Sequence, residues 1–446
     1  MRILHYSLGF PPYRTGGLTK FCMDLIKQQI EDGHDVALMW PGKMGIMLHK
    51  VSVRERGLKD YDGVKIKSFE VINPLPVPYD EGISKFDAFT YGGDTEPYRK
   101  LLEKYNPDVV HVHTLMGLHK AFLEVAAERK VKTVFTAHDF FPICPKVTMF
   151  RHNQICDSVL DCNECVICNT TALSINKIRI LQLPIYRKFK NSLIIKKIRK
   201  HHRDAYLNDN ESVLVEKPIG KSEDFKKLRT YYFSMLKLMD IIHYNSTVTK
   251  EVYEKFLGEF KNVVIPISHV NISDHRKIKS FKDGIIRIRY LGTYAWGKGY
   301  FYLKEALDKL WNERKDFSLD IHFSPRETSP YIRTNGRYNY SELEEIFNQT
   351  DILVAPSVWY ETFGYTVLEA VSYGVPVLIT ETVGAKDILE DGAGIVLEDV
   401  KSNQLYNAIS SLNVDMLRSM NKVIVDKQSI LTVKDMSEMI ESQCYH

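Results

Sequence analysis

Buried strands alternate with amphipathic helices along this chain, and this alternation restricts the possible folds more than any other feature. Residues 3–8 form an apolar run, a Gly-rich turn follows, and apolar residues then recur at helical spacing from Leu18 to Ile30. Further strands are expected at residues 35–40, 109–113, 133–137 and 240–244. Strands separated by helices predict a parallel sheet that is covered by helices on both faces.

The same alternation restarts at residue 285. A strand at 286–291 precedes an amphipathic helix, and more strands are expected near 319–323, 352–355 and 377–380. A chain of 446 residues also exceeds what one hydrophobic core usually serves. The fold class is therefore α/β, with two Rossmann-like domains and a ligand cleft at the carboxyl ends of their strands.

The expected domain boundaries follow from where the alternation lapses. We expect an N-terminal domain at 1–267 with an insertion at about 140–237, a polar linker at 268–284 and a C-terminal domain at 285–430. A last helix within 431–446 is able to pack back on the N-terminal domain.

Composition excludes a membrane-spanning protein and favours an ordinary globular enzyme. The chain is 44% hydrophobic and 26% charged, and no window approaches 18 uninterrupted apolar residues. Its first residues lack the apolar core and cleavage site of a signal peptide, which predicts a cytoplasmic location.

The most specific stretch of the sequence is APSVWYETFGYTVLEAVSYGVPVLIT. It places Glu361 and Glu369 eight residues apart, with a helix pattern that begins at about Gly364. A helix N-terminus offers free N–H groups and partial positive charge, which suit a diphosphate. Carboxylates on either side could accept hydrogen bonds from sugar or ribose hydroxyls.

This stretch resembles the Glu-x7-Glu element of the family 4 retaining glycosyltransferases, of the type that builds bacterial polysaccharides and surface glycans. The resemblance covers about residues 1–140 and 240–400 and implies the GT-B fold, with an insertion in the N-terminal domain. It implies that Glu361 contacts the donor sugar and that Glu369 binds the ribose. The other donor-binding residues that it implies in this turn are Phe363, Gly364 and Tyr365.

Two further turns fit the same family. In the turn after strand 286–291, Lys298 matches the second position of a basic pair that neutralises the leaving diphosphate, but Thr293 stands near the first, where the family usually has Arg. Lys298 alone, or a basic residue from elsewhere such as Arg14, would then meet the diphosphate. In the turn after the first strand, Gly16 and Gly17 would let the backbone approach the donor closely.

Histidines follow two strands of the first domain. The resemblance implies that a histidine after a late strand of this domain faces the donor sugar, and His138 matches it best. His113 and Asp139 are expected on the acceptor side of the cleft. We expect His111 to face the opposite side of the sheet and to be structural.

The predicted activity is transfer of a sugar, most simply from a UDP-sugar, to a glycan acceptor, with retention at the anomeric carbon. The catalytic residues would be His138, Glu361 and Lys298, which act by positioning and electrostatic stabilisation. No Asp-x-Asp element stands out at the end of an expected strand, and amides and Lys298 can meet the diphosphate, so no catalytic metal is expected. A sugar-nucleotide epimerase or hydrolase on the same fold, and a non-catalytic membrane or scaffold module, are the alternatives.

Five cysteines cluster in the expected insertion: Cys144, Cys156, Cys162, Cys165 and Cys168. Four thiolates at such spacing can close a tetrahedral structural zinc site. Reduced thiols or disulfides, and an iron–sulfur cluster, are the other interpretations.

The segment 177–203 holds ten Lys/Arg and no Asp/Glu, although the whole chain has a net charge of only +4. Five apolar residues share one helical face here: Tyr186, Phe189, Leu193, Ile194 and Ile198. Such a segment predicts peripheral binding to the anionic inner face of the cell membrane and suits a lipid-linked acceptor. The alternative is a helix packed on the first domain with its basic side solvated. No nucleic-acid partner is expected, since no matching fold accompanies the charge.

Overall fold

The computed structural model describes residues 1–45, 50–78, 81–157, 161–189, 192, 218–281, 284–401 and 403–446. The strands are β1 (Arg2–Tyr6), β2 (Asp35–Pro41), β3 (Ser52–Tyr61), β4 (Val64–Ile72), β5 (Val109–Val112), β6 (Lys132–Ala137), β7 (Phe150–Arg151), β8 (Gln154–Ile155), β9 (Ile241–Tyr244), β10 (Asn262–Val264), β11 (Ile286–Tyr290), β12 (Phe317–Ile321), β13 (Ile332–Thr334), β14 (Ile352–Ala355), β15 (Val377–Thr380) and β16 (Gly394–Leu397).

The α-helices lie between these strands and at the C-terminus. They are α1 (Gly17–Glu31), α2 (Phe86–Phe89), α3 (Glu96–Tyr105), α4 (Lys120–Glu128), α5 (Cys165–Cys168), α6 (Ile175–Gln182), α7 (Pro184–Phe189), α8 (Ser222–Leu236), α9 (Thr247–Leu257), α10 (Tyr300–Trp311), α11 (Leu343–Asn348), α12 (Tyr365–Ser372), α13 (Gln404–Ser411), α14 (Val414–Lys427) and α15 (Val433–Cys444). Among the described helices, none is long and apolar enough to cross a membrane.

Two sheets form the two Rossmann-like domains. The first has the strand order β10-β9-β6-β5-β1-β2-β4-β3 and is parallel except for β3, which pairs antiparallel with β4. The second has the order β13-β12-β11-β14-β15-β16 and is parallel between all its described strands. Since neighbouring parallel strands carry their carboxyl ends at one edge, the loops after β1, β5 and β6 meet in the first domain and those after β11 and β14 meet in the second.

The strands expected from the sequence are all present, with ends that differ by up to two residues. The hairpin of β3 and β4 was not expected. β3 is an edge strand with mostly exposed side chains, so it lacks the apolar alternation that marks a strand in the sequence. The expected insertion contains the small β7–β8 hairpin and helices α5 to α8 among its described residues.

The C-terminal helix α15 packs against α1 of the first domain. Gln29 on α1 donates a hydrogen bond to the Tyr445 hydroxyl at 3.0 Å, and His34 contacts Glu441 at 3.2 Å. The polar stretch 268–284 is also held by hydrogen bonds, because the Ser268 hydroxyl donates to the Leu431 carbonyl at 2.7 Å. The C-terminal helix therefore packs on the first domain, and the polar stretch 268–284 is attached to the segment that precedes this helix.

Candidate active site

The N-termini of two helices approach each other where the domains meet. Helix α1 begins at Gly17 after β1, and α12 begins at Tyr365 after β14. A β-carbon on Gly17 would lie 3.6 Å from the Tyr365 ring. The residues before the helices, Gly16 and Gly364, have φ angles of 109° and 105°, which favour glycine. Two positive helix ends thus converge on one region.

The turn before α12 holds Glu361 in a fixed position. Its Oε2 atom accepts hydrogen bonds from the Lys298 ammonium and, at 3.3 Å, from the Trp359 indole. The Lys298 nitrogen also lies 5.4 Å from the centre of the Trp359 ring. The Glu361 amide donates to the Thr382 carbonyl at 2.9 Å, which connects the backbone of this turn to the segment after β15. The structure therefore brings Glu361 and Lys298 into contact, and their roles toward the donor stay predictions.

The same turn presents hydrogen-bond donors that the described protein does not use. The backbone amides of Phe363 and Gly364 donate to no protein acceptor among the described residues. The Tyr365 hydroxyl is buried, has no hydrogen-bond partner in the described part of the chain, and has a pKa raised by burial. Unsatisfied buried donors are costly, so a group with acceptor oxygens would be stabilised here.

Glu369 lies in the second turn of α12 and is 3% exposed. Its Oε1 atom is 3.1 Å from Nε2 of His269, and Nδ1 of His269 accepts a hydrogen bond from the Asn271 amide at 3.3 Å. Nδ1 of His269 is therefore the acceptor nitrogen, and Nε2 donates to the Glu369 carboxylate. No sequence pattern marks this partner, since His269 lies in the polar linker, 100 residues from Glu369.

Lys298 reaches this turn because of a glycine behind it. It ends a short 3₁₀ helix, Trp296–Lys298, and Gly299 follows with φ 77°. A side chain at Gly299 would overlap the Pro356 carbonyl oxygen. Thr293 is exposed in the same turn, and its carbonyl accepts a hydrogen bond from Tyr290 at 2.8 Å. Arg14 is only 7% exposed and lies 4.7 Å from the centre of the Tyr13 ring, in the loop between β1 and α1.

The loop after β6 brings His138 to the Glu361 turn. The Thr362 hydroxyl donates to the His138 carbonyl at 3.1 Å, across the domain boundary. His138 packs edge-on against Phe21 of α1, with 4.6 Å between ring centroids. Its neighbour Asp139 accepts a hydrogen bond from the Phe141 amide at 2.9 Å, and burial raises the pKa of Asp139 to about 6.

The expected orientation of His111 was wrong. The rings of His111 and His113 stack with centroids 4.3 Å apart, so both lie on one side of the sheet. Side chains alternate between faces with a period of two, and residues two positions apart therefore share a face. His113 in turn contacts His138, with 3.4 Å between Nδ1 and Nε2. His111 is fully buried and has hydrogen bonds to Tyr445 and Thr136.

Two of the five cysteines, Cys162 and Cys165, belong to the hydrophobic core of the first domain, and Cys144 and Cys156 pack against this core. Arg229 on α8 donates to the Cys162 sulfur at 2.8 Å and lies 3.8 Å from the Cys165 sulfur. A hydrogen bond from Cys165, with Arg229 beside it, lowers the pKa of Cys162. Burial, followed by the nearby Cys168, raises the pKa of Cys144 to about 11. Sulfur atoms of three cysteines do not come within 4.8 Å of one another in the described residues, so zinc binding stays a prediction.

The basic segment 177–203 is described only in part. Residues 190–191 and 193–203 lie outside the described residues, and these include Leu193, Ile194 and Ile198. In the described part, α6 and α7 expose three large apolar side chains: Ile180, Ile185 and Phe189 are 57%, 66% and 51% exposed. In the sequence, Arg179 precedes Ile180, and Arg187 and Lys188 lie between Ile185 and Phe189.

Two family models match the chain, one in each domain. Residues 15–173 match the model described as Glycosyltransferase Family 4, and residues 286–415 match the one described as Glycosyl transferases group 1. A Klebsiella pneumoniae protein, an uncharacterized 42.6 kDa protein in the cps region, is 21% identical over 398 residues, which cover 86% of each chain. An uncharacterized glycosyltransferase of Methanocaldococcus jannaschii is 25% identical over 138 residues, which are 27% of this chain and 35% of that one.

Solved glycosyltransferases have the same fold over nearly the whole chain. A sucrose-phosphate synthase from Thermosynechococcus elongatus superposes with a TM-score of 0.56 at 12% identity and covers 99% of this chain and 97% of its own. A pneumococcal O-GlcNAc transferase, solved with UDP and GlcNAc, gives 0.52 at 12% identity and covers 100% and 98%.

The two Rossmann-like domains have the GT-B fold of these solved structures. The chain belongs to the family 4, group 1 glycosyltransferases, which confirms the family inferred from the Glu361 motif and the α/β fold class.

Proposed function

We propose that this glycosyltransferase moves a sugar from a UDP-sugar to a glycan acceptor carried on a membrane lipid, with retention at the anomeric carbon. The observation that carries the proposal is the turn 361–365. This turn holds Glu361 against Lys298, leaves the amides of Phe363 and Gly364 and the Tyr365 hydroxyl without a protein partner among the described residues, and places the Tyr365 ring near Gly17 of α1.

In this proposal the donor diphosphate lies between the two helix N-termini. Amides of Phe363 and Gly364 donate to its oxygens, and Lys298 exchanges its hydrogen bond to Glu361 for one to phosphate. Glu361 is then free to accept from a hydroxyl of the donor sugar. Glu369, held by His269, is positioned by α12 to accept from the ribose.

Stabilisation of the negative charge on the leaving diphosphate then accelerates the reaction. The acceptor hydroxyl attacks the anomeric carbon as the bond to the diphosphate oxygen breaks, and that oxygen takes the acceptor proton. Attack and departure on one face retain the anomeric configuration. This scheme needs no catalytic metal, and Asp139 has no assigned role as a nucleophile.

The acceptor class is supported by two observations. The Klebsiella relative is encoded in a cps region, which is consistent with polysaccharide assembly. The exposed apolar residues of α6 and α7, set among Lys and Arg, suit the surface of an anionic bilayer. A membrane-bound acceptor would then be presented next to the first domain, from the cytoplasmic side.

The test is a binding screen followed by product analysis. A nucleotide sugar at 100 times its dissociation constant should stabilise the chain by about 2.7 kcal/mol in a thermal-shift assay. Lys298→Met should abolish the shift with UDP-sugar, whereas Lys304→Met, which alters a lysine bonded to Asp308 on α10, should preserve it. The anomeric coupling constant of the purified product, measured by NMR, reports retention directly. Donor hydrolysis or epimerisation without any acceptor requirement would replace this proposal with the alternative enzyme class.

A further inference from the structure

Five histidines form a polar cluster in the first domain, and all of them are buried except His138, which is half-buried. Its members are His5, His111, His113, His138 and His243. Burial lowers the pKa of each of them below the usual 6.5, to about 4 for His5 and His243 and to about 3 for His138. A neutral imidazole has one nitrogen that donates and one that accepts, so the position of each proton matters.

The direction of the hydrogen bonds can be worked out from one end of the cluster. Nε2 of His243 lies 2.8 Å from the Ile265 carbonyl oxygen, which can only accept, so Nε2 carries the proton. Nδ1 of His243 must then accept from the Thr136 hydroxyl at 2.9 Å. Because Thr136 has used its one proton, Nε2 of His111, at 2.6 Å, must donate to it.

The chain of bonds continues through the C-terminal tail. Nδ1 of His111 accepts from the Tyr445 hydroxyl at 2.8 Å. Tyr445 has then used its proton, so the group beside it must donate, and the Gln29 amide nitrogen does so at 3.0 Å. This fixes the orientation of the Gln29 side chain, whose Oε1 atom must face His5.

The second half of the chain leads back to the cleft. Oε1 of Gln29 accepts from Nε2 of His5 at 2.8 Å, and Nδ1 of His5 accepts from Nε2 of His113 at 2.9 Å. Nδ1 of His113 then accepts from Nε2 of His138, at the longer distance of 3.4 Å. All of these bonds run in one direction, from His138 to the Ile265 carbonyl.

We propose that Gln29 and Tyr445 are positioning residues of the transfer site: through this chain they hold the proton of His138 on Nε2 and leave Nδ1 as an acceptor. Among the described residues, no protein group donates to Nδ1 of His138. An acceptor nitrogen pairs with a hydroxyl and not with a phosphate oxygen, which also only accepts. His138 therefore recognises a hydroxyl of the sugar and takes no part in binding the diphosphate.

The inference rests on the proposed function only in placing His138 at the sugar; the proton positions themselves do not depend on it. Metal binding is a different use of the cluster. His5, His111 and His113 can each offer one ring nitrogen, and these three nitrogens lie within 4.8 Å of one another. Each of these nitrogens already has a hydrogen-bond partner in a consistent donor–acceptor order, which favours the proton chain over a metal.

The test measures the proton positions by long-range ¹H–¹⁵N NMR of the full-length protein with labelled histidines. The expected result is the Nε2–H tautomer at all five histidines. An Nδ1–H tautomer at His138, or shifts typical of metal-bound nitrogens at His5, His111 and His113, would overturn the proposal without any variant being made.

Tyr445→Phe then tests the remote effect. It removes the donor to His111 and the acceptor of Gln29, so the Gln29 amide can reverse and His138 can shift its proton to Nδ1. We expect about a tenfold rise in KM for the nucleotide sugar, with the Kd for free UDP and the kcat little changed. Gln29→Met should act in the same way, and Gln28→Met on the outer side of α1, where Gln28 contacts Asp32, is the matched control.

A merely structural role for Tyr445 would give a different pattern. Loss of packing would lower the melting temperature and raise the Kd for UDP and the KM for the sugar together, with the His138 tautomer unchanged. That pattern in both variants would contradict the proposal. If the chain used another nucleotide sugar, the tautomer result would still stand, so failure of the proposed function and failure of this inference can be told apart.

Discussion

Lys298 and Glu361 form an ion pair at the junction of the two domains, although 63 residues separate them in the sequence. Each side chain is about one quarter exposed, at 26% and 25%. Lys298, which we assign to the diphosphate, and Glu361, which we assign to the sugar, therefore neutralise each other. The Trp359 indole donates a second hydrogen bond to the Glu361 carboxylate. A donor that binds here must replace this contact, so its two partners become available together.

Glu361→Gln should lower kcat by about 10²-fold or more, because it removes a charged acceptor at the reacting sugar. The amide preserves the shape of the side chain, so the melting temperature should change little. Steady-state kinetics with the donor identified in the binding screen measure the effect. Glu381→Gln is the matched control, since Glu381 is paired with Lys386 at a more exposed position. Turnover of the Glu361 variant close to that of the control would remove the sugar-contact role.

Glu369→Gln should weaken the binding of free UDP by about tenfold, which corresponds to about 1.4 kcal/mol. The reason is loss of a charged acceptor for the ribose hydroxyls, whereas the hydrogen bond from His269 can still be accepted by the amide oxygen. Isothermal titration with UDP and with UMP measures it, and both should lose affinity to the same degree because both contain the ribose. A defect confined to UDP would instead place Glu369 near the diphosphate.

These site residues differ in how far the sequence could predict them. Glu361, Gly364 and Glu369 lie in one continuous stretch, where the spacing along a turn and a helix already determines their relative positions. His269 and Tyr445 reach their partners only through tertiary folding, across 100 and 334 residues. No local pattern marks them, because a histidine in a polar linker and a tyrosine after the last helix have many ordinary uses. The error at His111 was of another kind, since the period of two in a strand was available from the sequence.

Zinc binding by the cysteine cluster is a prediction that can be tested directly. One zinc ion per chain, bound by four of the five thiols, should be found by mass spectrometry of the purified, reduced protein. Cys162→Ser should remove it, while Cys22→Ser, which changes a buried cysteine on α1, should not. The Arg229 contact with Cys162 would favour the thiolate that a metal requires. Purified protein without metal, with five titratable thiols in this cluster, would contradict zinc binding. Packing and the Arg229 contact alone would then hold the cysteine cluster in place.

The free energy of unfolding should fall steeply as the pH drops below 6.5. Burial depresses the pKa of several histidines in the folded chain, including His119 to about 4. The unfolded state therefore binds more protons between pH 6.5 and 4, and each such histidine contributes a slope of about 1.4 kcal/mol per pH unit in that window. The stabilisation is complete above pH 6.5 and is lost as the pH falls toward 4.

His119→Phe isolates one histidine outside the five-membered cluster. Tyr98 loses its 2.7 Å hydrogen bond at every pH, so the variant should be less stable than the wild type throughout. Its free energy of unfolding should nevertheless change less with pH, by the contribution of one proton. Urea unfolding at pH 5, 6 and 7.5 measures the slopes. Parallel curves for the two proteins would show that His119 does not change protonation on unfolding.

The final prediction concerns the basic segment, which should bind anionic vesicles. Long-range attraction comes from its ten Lys/Arg, and contact is made by apolar residues such as Ile185 and Phe189, which are more than half exposed. Co-sedimentation with vesicles that contain phosphatidylglycerol should therefore weaken as salt is raised, and neutral vesicles should not bind.

Two variants separate the electrostatic from the apolar contribution. Replacing Lys196, Lys197, Arg199 and Lys200 with Gln should remove most binding at low salt, although these four residues lie outside the described part of the chain. Ile185→Ser combined with Phe189→Ser should leave the salt dependence but weaken the contact. Leu58→Ser on the edge strand β3, where Leu58 is 61% exposed, is the matched control. Transfer to a short soluble acceptor should be unchanged in all of them, because the proposed donor site lies at the 361–365 turn. Equal partitioning of the wild type and the fourfold variant would identify the segment as a solvated helix with no role at the membrane.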